Sequence, residues 1–194
     1  GGEQAVAWGL ADVCVPATSL HSLWDALQTQ GSAKALQNWI AINFIAKYSD
    51  STRADGHISI EILNAFGLSN IPSILAELDR QATQESLKIA ATLRHRSPLM
   101  LHVVLEQLRR ARGMSLAEDL RMERDLVQHC FYTAHLDRSG PRSETVEGIR
   151  ALAVDKDYKP TWNPAHISDV TPEMVAPFFV SPWSAEAHPR RALS

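Results

Sequence analysis

Few side chains in this sequence have the types and spacing that chemistry needs. Arg109, Arg110 and Arg112 gather at the predicted C-terminal end of a helix, where cations suit the helix dipole and could also hold a phosphate. Asp155-Lys156-Asp157 reads, on residue type alone, as a charged turn. Glu123 interrupts an apolar face between Leu120 and Val127. A carboxylate buried there must be paired, with Arg150 as a candidate partner, or else protonated and able to act as a general acid or base. The eight histidines, at 21, 57, 95, 102, 129, 135, 166 and 188, form no convincing ligand pair, and His95 and His102 lie on opposite sides of Pro98. No metal site is expected. The sequence also lacks a G-x-S-x-G elbow, a phosphate-binding glycine loop and an H-E-x-x-H pair, so no catalytic constellation emerges from the residues alone.

Composition narrows the class. A chain of 194 residues with 45% hydrophobic and 21% charged residues is ordinary for a soluble globular domain with a real core. Lys plus Arg total 19 against 22 Asp plus Glu, a net charge of -3, so no overall attraction to nucleic acid or an anionic membrane is expected. No apolar run approaches the roughly 18 residues of a membrane span. Residues 1–30 show no basic region followed by an apolar stretch. Cys14 and Cys130 have no metal-ligand spacing and read as small core residues in a reducing compartment.

The elements that must position these groups are mostly helical. Residues 3–8 read as a helix end closed by Gly9, and Asp12-Val13-Cys14-Val15 as a short strand stopped by Pro16. No later segment reads as its partner, so partner strands are expected upstream or from another chain. Leu20, Leu23, Trp24 and Leu27 then fall at the spacing of one helical stripe. After Gly31, Ser32 caps a second helix that buries Leu36, Trp39, Ile40 and Phe44, and 49–56 reads as a loop. Short helices are predicted over 58–66, from Ser69 or Asn70 to about Arg80 with Pro72 in the first turn, and over 83–95. Two long helices follow. The first carries Leu101, Val104, Leu105 and Leu108 on one face. The second opens on a Ser115-to-Glu118 capping box and presents Leu116, Leu120, Val127, Cys130 and Phe131 to a core. A loop over 136–143 and a helical segment over 145–154 lead into a proline-rich tail, which reads as extended and wrapped on the body.

Three blocks resemble the crotonase superfamily and, within it, the 3-hydroxyisobutyryl-CoA hydrolase branch. Gly9-Leu10-Ala11-Asp12 followed by Val13-Cys14-Val15-Pro16 is similar to the G-L-A-D turn and strand that lead out of the crotonase core. Ser97-Pro98-Leu99-Met100-Leu101, Ser115-Leu116-Ala117-Glu118 and Leu120-Arg121-Met122-Glu123 resemble that branch's middle blocks. Glu147-Gly148-Ile149-Arg150-Ala151, Asp155-Lys156-Asp157 and Pro160-Thr161-Trp162-Asn163-Pro164 resemble its E-G-V-R-A, D-K-D, P-x-W-x-P ending. The run 137–142 looks like extra loop by comparison.

The resemblance implies a mainly α fold: the C-terminal helical part of a crotonase-type ββα spiral, with one short strand near the N-terminus. Residues 1–16 would be the tail end of the core, 17–183 the helical region and 184–194 a disordered tail. The implied activity is hydrolysis of 3-hydroxyisobutyryl-CoA, a step of valine breakdown, with two backbone N–H groups polarising the thioester carbonyl and acidic side chains driving the reaction. The segments that carry those groups precede the G-L-A-D block, so no catalytic residue is assigned here, and the chain alone is expected to be inactive. Lys156 is the one implied substrate contact, an ammonium near the nucleotide end of coenzyme A. Arg150 is expected to lock the tail to a helix. The thioester is the substrate and no separate cofactor is expected. The implied partners are the acyl-CoA, an N-terminal crotonase half and a second copy in a homo-oligomer, with no nucleic acid and no membrane. The compartment would be cytoplasmic in a bacterium and mitochondrial in a eukaryote. A non-catalytic interaction module and part of an enoyl-CoA hydratase or isomerase remain alternative readings.

Overall fold

Side-chain caps mark the start of several helices: Asn70, Thr83, Ser97, Ser115 and Ser143 each accept the backbone N–H three residues on. A computed structural model describes residues 2–43, 46–47 and 58–193; Phe44 and the loop predicted over 49–56 lie outside the described residues. Two compact units form, Gly1–Leu63 and Asn64–Ser194.

In the first unit, α1 (Gly2–Ala7) buries Val6 and Ala7. β1 (Val13–Cys14) pairs antiparallel with β2 (Ala46–Lys47), Val13 opposite Lys47 and Cys14 opposite Ala46. This corrects the expectation that the strand has no partner within the sequence. Two-residue pairing leaves too short a β pattern to read from residue types. α2 (Leu20–Gln30) ends where Gly31 turns left-handed at φ 53°, and it packs on α3 (Ala33–Asn43). Trp39 is buried there, its indole N–H donating to the Ser22 hydroxyl at 2.9 Å. The predicted stripe on α2 is only partly covered, since Leu20 and Trp24 are exposed. α4 (Ile60–Phe66), whose residues fall on both sides of the division after Leu63, buries Ile62 and Ala65.

The second unit is built from α5 (Ile71–Gln81), α6 (Gln84–Arg94), α7 (Pro98–Ala111) and α8 (Leu116–Phe131). Asn70, not Ser69, caps α5, accepting from the Ser73 N–H at 2.8 Å. Both halves of the Ser115–Glu118 capping box form at the start of α8. α5 packs on α6, and a core cluster joins Leu99 and Val103 of α7, Met122 and Leu126 of α8, and Phe178 from the tail. Beyond α8 the chain makes a hairpin of β3 (Tyr132–Thr133) and β4 (Arg138–Ser139), of which β4 lies in the run that looks like extra loop. α9 (Glu144–Ile149) follows, then a π-helical turn over Arg150–Val154 in which the Asp155 N–H reaches the Arg150 carbonyl at 2.8 Å. The tail contains α10 (Pro172–Val175) and a 3-10 turn over Ala176–Phe179 that drives Phe178 into the core.

Residues 184–193, expected to be a disordered stub, are instead fastened to α8. Arg121 donates to the carbonyls of Arg190 and Leu193, and His188 is buried against Asp125. Charge-assisted bonds to backbone carbonyls hold a segment whose composition carries little apolar area. Among the described residues no helix is long and apolar enough to cross a membrane. The mainly helical fold expected of a crotonase C-terminal part is what the chain adopts.

Candidate functional site

The run from Glu144 to Asn163 folds into a clamp centred on Arg150. The guanidinium makes a forked pair with Glu147, Nε to Oε2 and Nη2 to Oε1, both at 2.8 Å. Its Nη1 reaches Asp155 at 2.5 Å and Asp157 at 2.9 Å, and Nη2 also donates to the Lys159 carbonyl at 3.1 Å. Glu147 in turn accepts the Thr161 N–H at 2.6 Å. A planar five-donor cation suits such a hub, which a lysine could not reproduce. The Arg150 guanidinium, helped by the Thr161 N–H, lowers the Glu147 carboxyl to a pKa of about 2. Arg150 and then the Lys159 N–H also hold the Asp157 carboxyl low, while the carboxylates push the Arg150 pKa up.

A second set of bonds ties this segment to the bundle. Ser143 caps α9 through the Val146 N–H. The neighbouring Glu144, only 8% exposed, accepts from the Ser97 hydroxyl and from the Asn163 N–H at 2.9 Å. The Trp162 indole N–H donates to the His95 carbonyl at 3.0 Å. Gly148 makes room for that ring: a Cβ there would lie 3.3 Å from Trp162 Cη2. The motif's glycine is explained by close packing, the arginine by the clamp.

Between α6, α9 and the tail lies a cavity of about 600 Å³, within the usual range for small-molecule sites. Gly148, Ile149, Leu152, Tyr158 and Trp162 line it, with His95 and Arg96 among its polar groups. Ile149, Leu152 and Tyr158 are exposed. Lys156 lies on the adjoining turn, exposed, at φ 55°.

Other expectations change. Glu123 is exposed and unpaired with Arg150; the carboxylate that α8 buries is Asp125. The stripe through Leu120 and Val127 and the buried one through Met122 and Leu126 are centred about 130° apart around the helix. Both are apolar, so period alone gave two solutions, and the contact with Phe178 selects the second. Of the arginine cluster, Arg109 donates to the Ser69 carbonyl, and Arg110 pairs with Glu106 at 2.8 Å and stacks 4.3 Å from the Phe179 ring centroid. Arg112 is exposed. Cys14 and Cys130 are free and partly buried, and burial pushes the Cys130 thiol up. Among the described residues no group of three or more His, Cys, Asp or Glu side chains is placed to hold a metal ion.

Asp125 gathers residues that the sequence did not join. Its Oδ1 accepts from the Ser181 hydroxyl at 3.0 Å and lies 3.2 Å from His188 Nε2. His188 Nδ1 accepts the Arg190 N–H at 2.9 Å, which puts the imidazole proton on Nε2, facing Asp125. The order is serine, aspartate, histidine. His188 faces the aspartate and not the hydroxyl, so the trio lacks the serine–histidine contact of a nucleophile triad, and it fastens the tail.

The enoyl-CoA hydratase/isomerase family pattern matches residues 1–179. A probable 3-hydroxyisobutyryl-CoA hydrolase 2 from Arabidopsis thaliana is 27% identical over 183 residues, covering 92% of this chain and 47% of the plant protein. The mitochondrial 3-hydroxyisobutyryl-CoA hydrolase of Xenopus tropicalis is 31% identical over 121 residues, 62% of this chain and 29% of that protein. Among solved structures, a carnitinyl-CoA dehydratase from Mycobacterium thermoresistibile superposes with a TM-score of 0.71 at 25% identity, over 93% of this chain and 47% of that one. The chain spans about half the length of the curated relatives it matches. With the signature run folded into one clamp and the pattern matched along most of its length, the chain belongs to the enoyl-CoA hydratase/isomerase family of the crotonase superfamily.

Proposed function

We propose that this chain is the C-terminal part of an acyl-CoA thioester hydrolase acting on 3-hydroxyisobutyryl-CoA. The observation that carries the reading is the alignment with proteins named as such hydrolases over 92% of the chain. The ordered E-G-I-R-A, D-K-D and P-T-W-N-P run supports it. In this reading the oxyanion donors and the acids come from an N-terminal crotonase half, and water is the co-reactant, with no further cofactor. This chain closes the acyl-CoA site, and Lys156 meets a phosphate of coenzyme A. Large apolar side chains left exposed, among them Leu108, Leu116 and Val127, support a protein partner against these helices. The compartment is mitochondrial in a eukaryote, as the names of the animal relatives suggest, and cytoplasmic in a bacterium.

The test is thiol release from 3-hydroxyisobutyryl-CoA. The chain alone should give none above the blank, and adding a crotonase-type N-terminal half should give hydrolysis. Binding of that half with no thiol release would favour a non-catalytic relative. Release by the isolated chain would overturn the reading. Likeness to a dehydratase supports a second reading, hydration or isomerisation of an enoyl-CoA, and the same mixture should then change the acyl double bond without freeing thiol.

A further inference from the structure

We propose that Arg150 is a positioning residue: it takes up the carboxylates on both sides of Lys156 and so leaves that ammonium free to meet an anionic group, a phosphate of coenzyme A. The inference rests on Lys156 being a coenzyme A contact. A lysine flanked by two aspartates is a poor phosphate ligand as sequence, because either neighbour can neutralise it. In the fold both neighbours are occupied elsewhere. Asp155 and Asp157 share Arg150 Nη1 at 2.5 and 2.9 Å, and the other oxygen of Asp157 accepts the Lys159 N–H at 2.8 Å. Glu147, the third acid nearby, takes the remaining face of the guanidinium. Lys156 has no hydrogen bond or ion pair among the described residues. Its backbone, and that of Tyr158, is left-handed at φ 55° and 57°. Non-glycine residues hold that conformation where surrounding bonds dictate it, here those from Arg150 to Asp155, Asp157 and the Lys159 carbonyl. One cation is spent so that another stays available.

The experiment has two arms, both on the full 194-residue chain. In the first, lysines are acylated with a limiting amine reagent and each site's rate is read by peptide mass spectrometry, with exposed Lys34 as the internal reference. Arg150→Gln should slow Lys156 several-fold relative to Lys34, because the released aspartates engage it. Arg150→Lys should do so less, and the triple variant R150Q/D155N/D157N should restore the wild-type rate. In the second arm, coenzyme A is titrated by NMR. Lys156→Ala and Arg150→Gln should each weaken binding by about fivefold, the scale of an exposed charge pair, and the triple variant should recover it. An unchanged Lys156 rate in Arg150→Gln, or a slowed rate that the triple variant fails to restore, overturns the role given to Arg150. Coenzyme A binding that is absent, or indifferent to Lys156→Ala, overturns the reading of Lys156 instead, while the acylation arm still decides Arg150. Should Arg150→Gln fail to fold, Arg150→Lys alone carries the acylation test: an unchanged Lys156 rate there overturns the proposal.

Discussion

The apolar cluster under Phe178 and the polar clamp around Arg150 lie in the same unit and are held by opposite physics. Leu99, Val103, Met122, Leu126 and Phe178 exclude water without regard to direction, and a residue of similar size and shape serves nearly as well. The clamp has little apolar surface to bury. Glu147, Arg150, Asp155 and Asp157 are matched donor to acceptor, so each position tolerates almost nothing else. The first arrangement supplies stability, and the second fixes the course of one surface segment.

The sharpest separation is expected from Phe178→Ala. It should cost about 3–5 kcal/mol in denaturant unfolding, the range for deleting a buried aromatic ring, and a cost of a few tenths would place the core elsewhere. Glu144→Ala comes next, since the buried carboxylate joins the clamp segment to the bundle. It strands the Ser97 hydroxyl and the Asn163 N–H, at about 1–3 kcal/mol, and tryptophan fluorescence should report the loosening of Trp162. The smallest effect is that of pH. The Glu147 carboxyl is lowered from 4.5 to about 2 by Arg150 and the Thr161 N–H. Its contribution is therefore complete above about pH 4.5 and is lost as pH falls toward 2. Acid titration of stability should show a loss in that window which Glu147→Gln reduces, the low Asp157 carboxyl keeping part of it, whereas the Phe178 cluster has no such dependence.

The same contrast explains what was legible in the residues. Helix starts could be read because a cap and its target are three residues apart, as Ser115 and Glu118 are. The phase of α8 could not, because both of its faces carry apolar side chains and the deciding contact, Phe178, comes from a tail read as merely extended. The partners of Glu144 lie 47 residues back and 19 ahead. No local period records bonds of that span, and a glutamate beside a capping serine looks like any first-turn acid. Arg150 was legible as a lock only through the resemblance, and even so its partners were expected in Glu123 and not in the D-K-D turn. His188 and Asp125 were missed for a like reason, 63 residues apart in a tail with few apolar groups.

Ser97 leaves one further consequence. Its hydroxyl accepts the Met100 N–H at 3.2 Å, capping α7, and donates to Glu144 in the first turn of α9. One oxygen thus belongs to two helix ends that the chain separates widely. Neither end can fray by itself without stranding a buried polar atom in the other, so the two first turns behave as a single cooperative joint, and motion admitted at one is admitted at both.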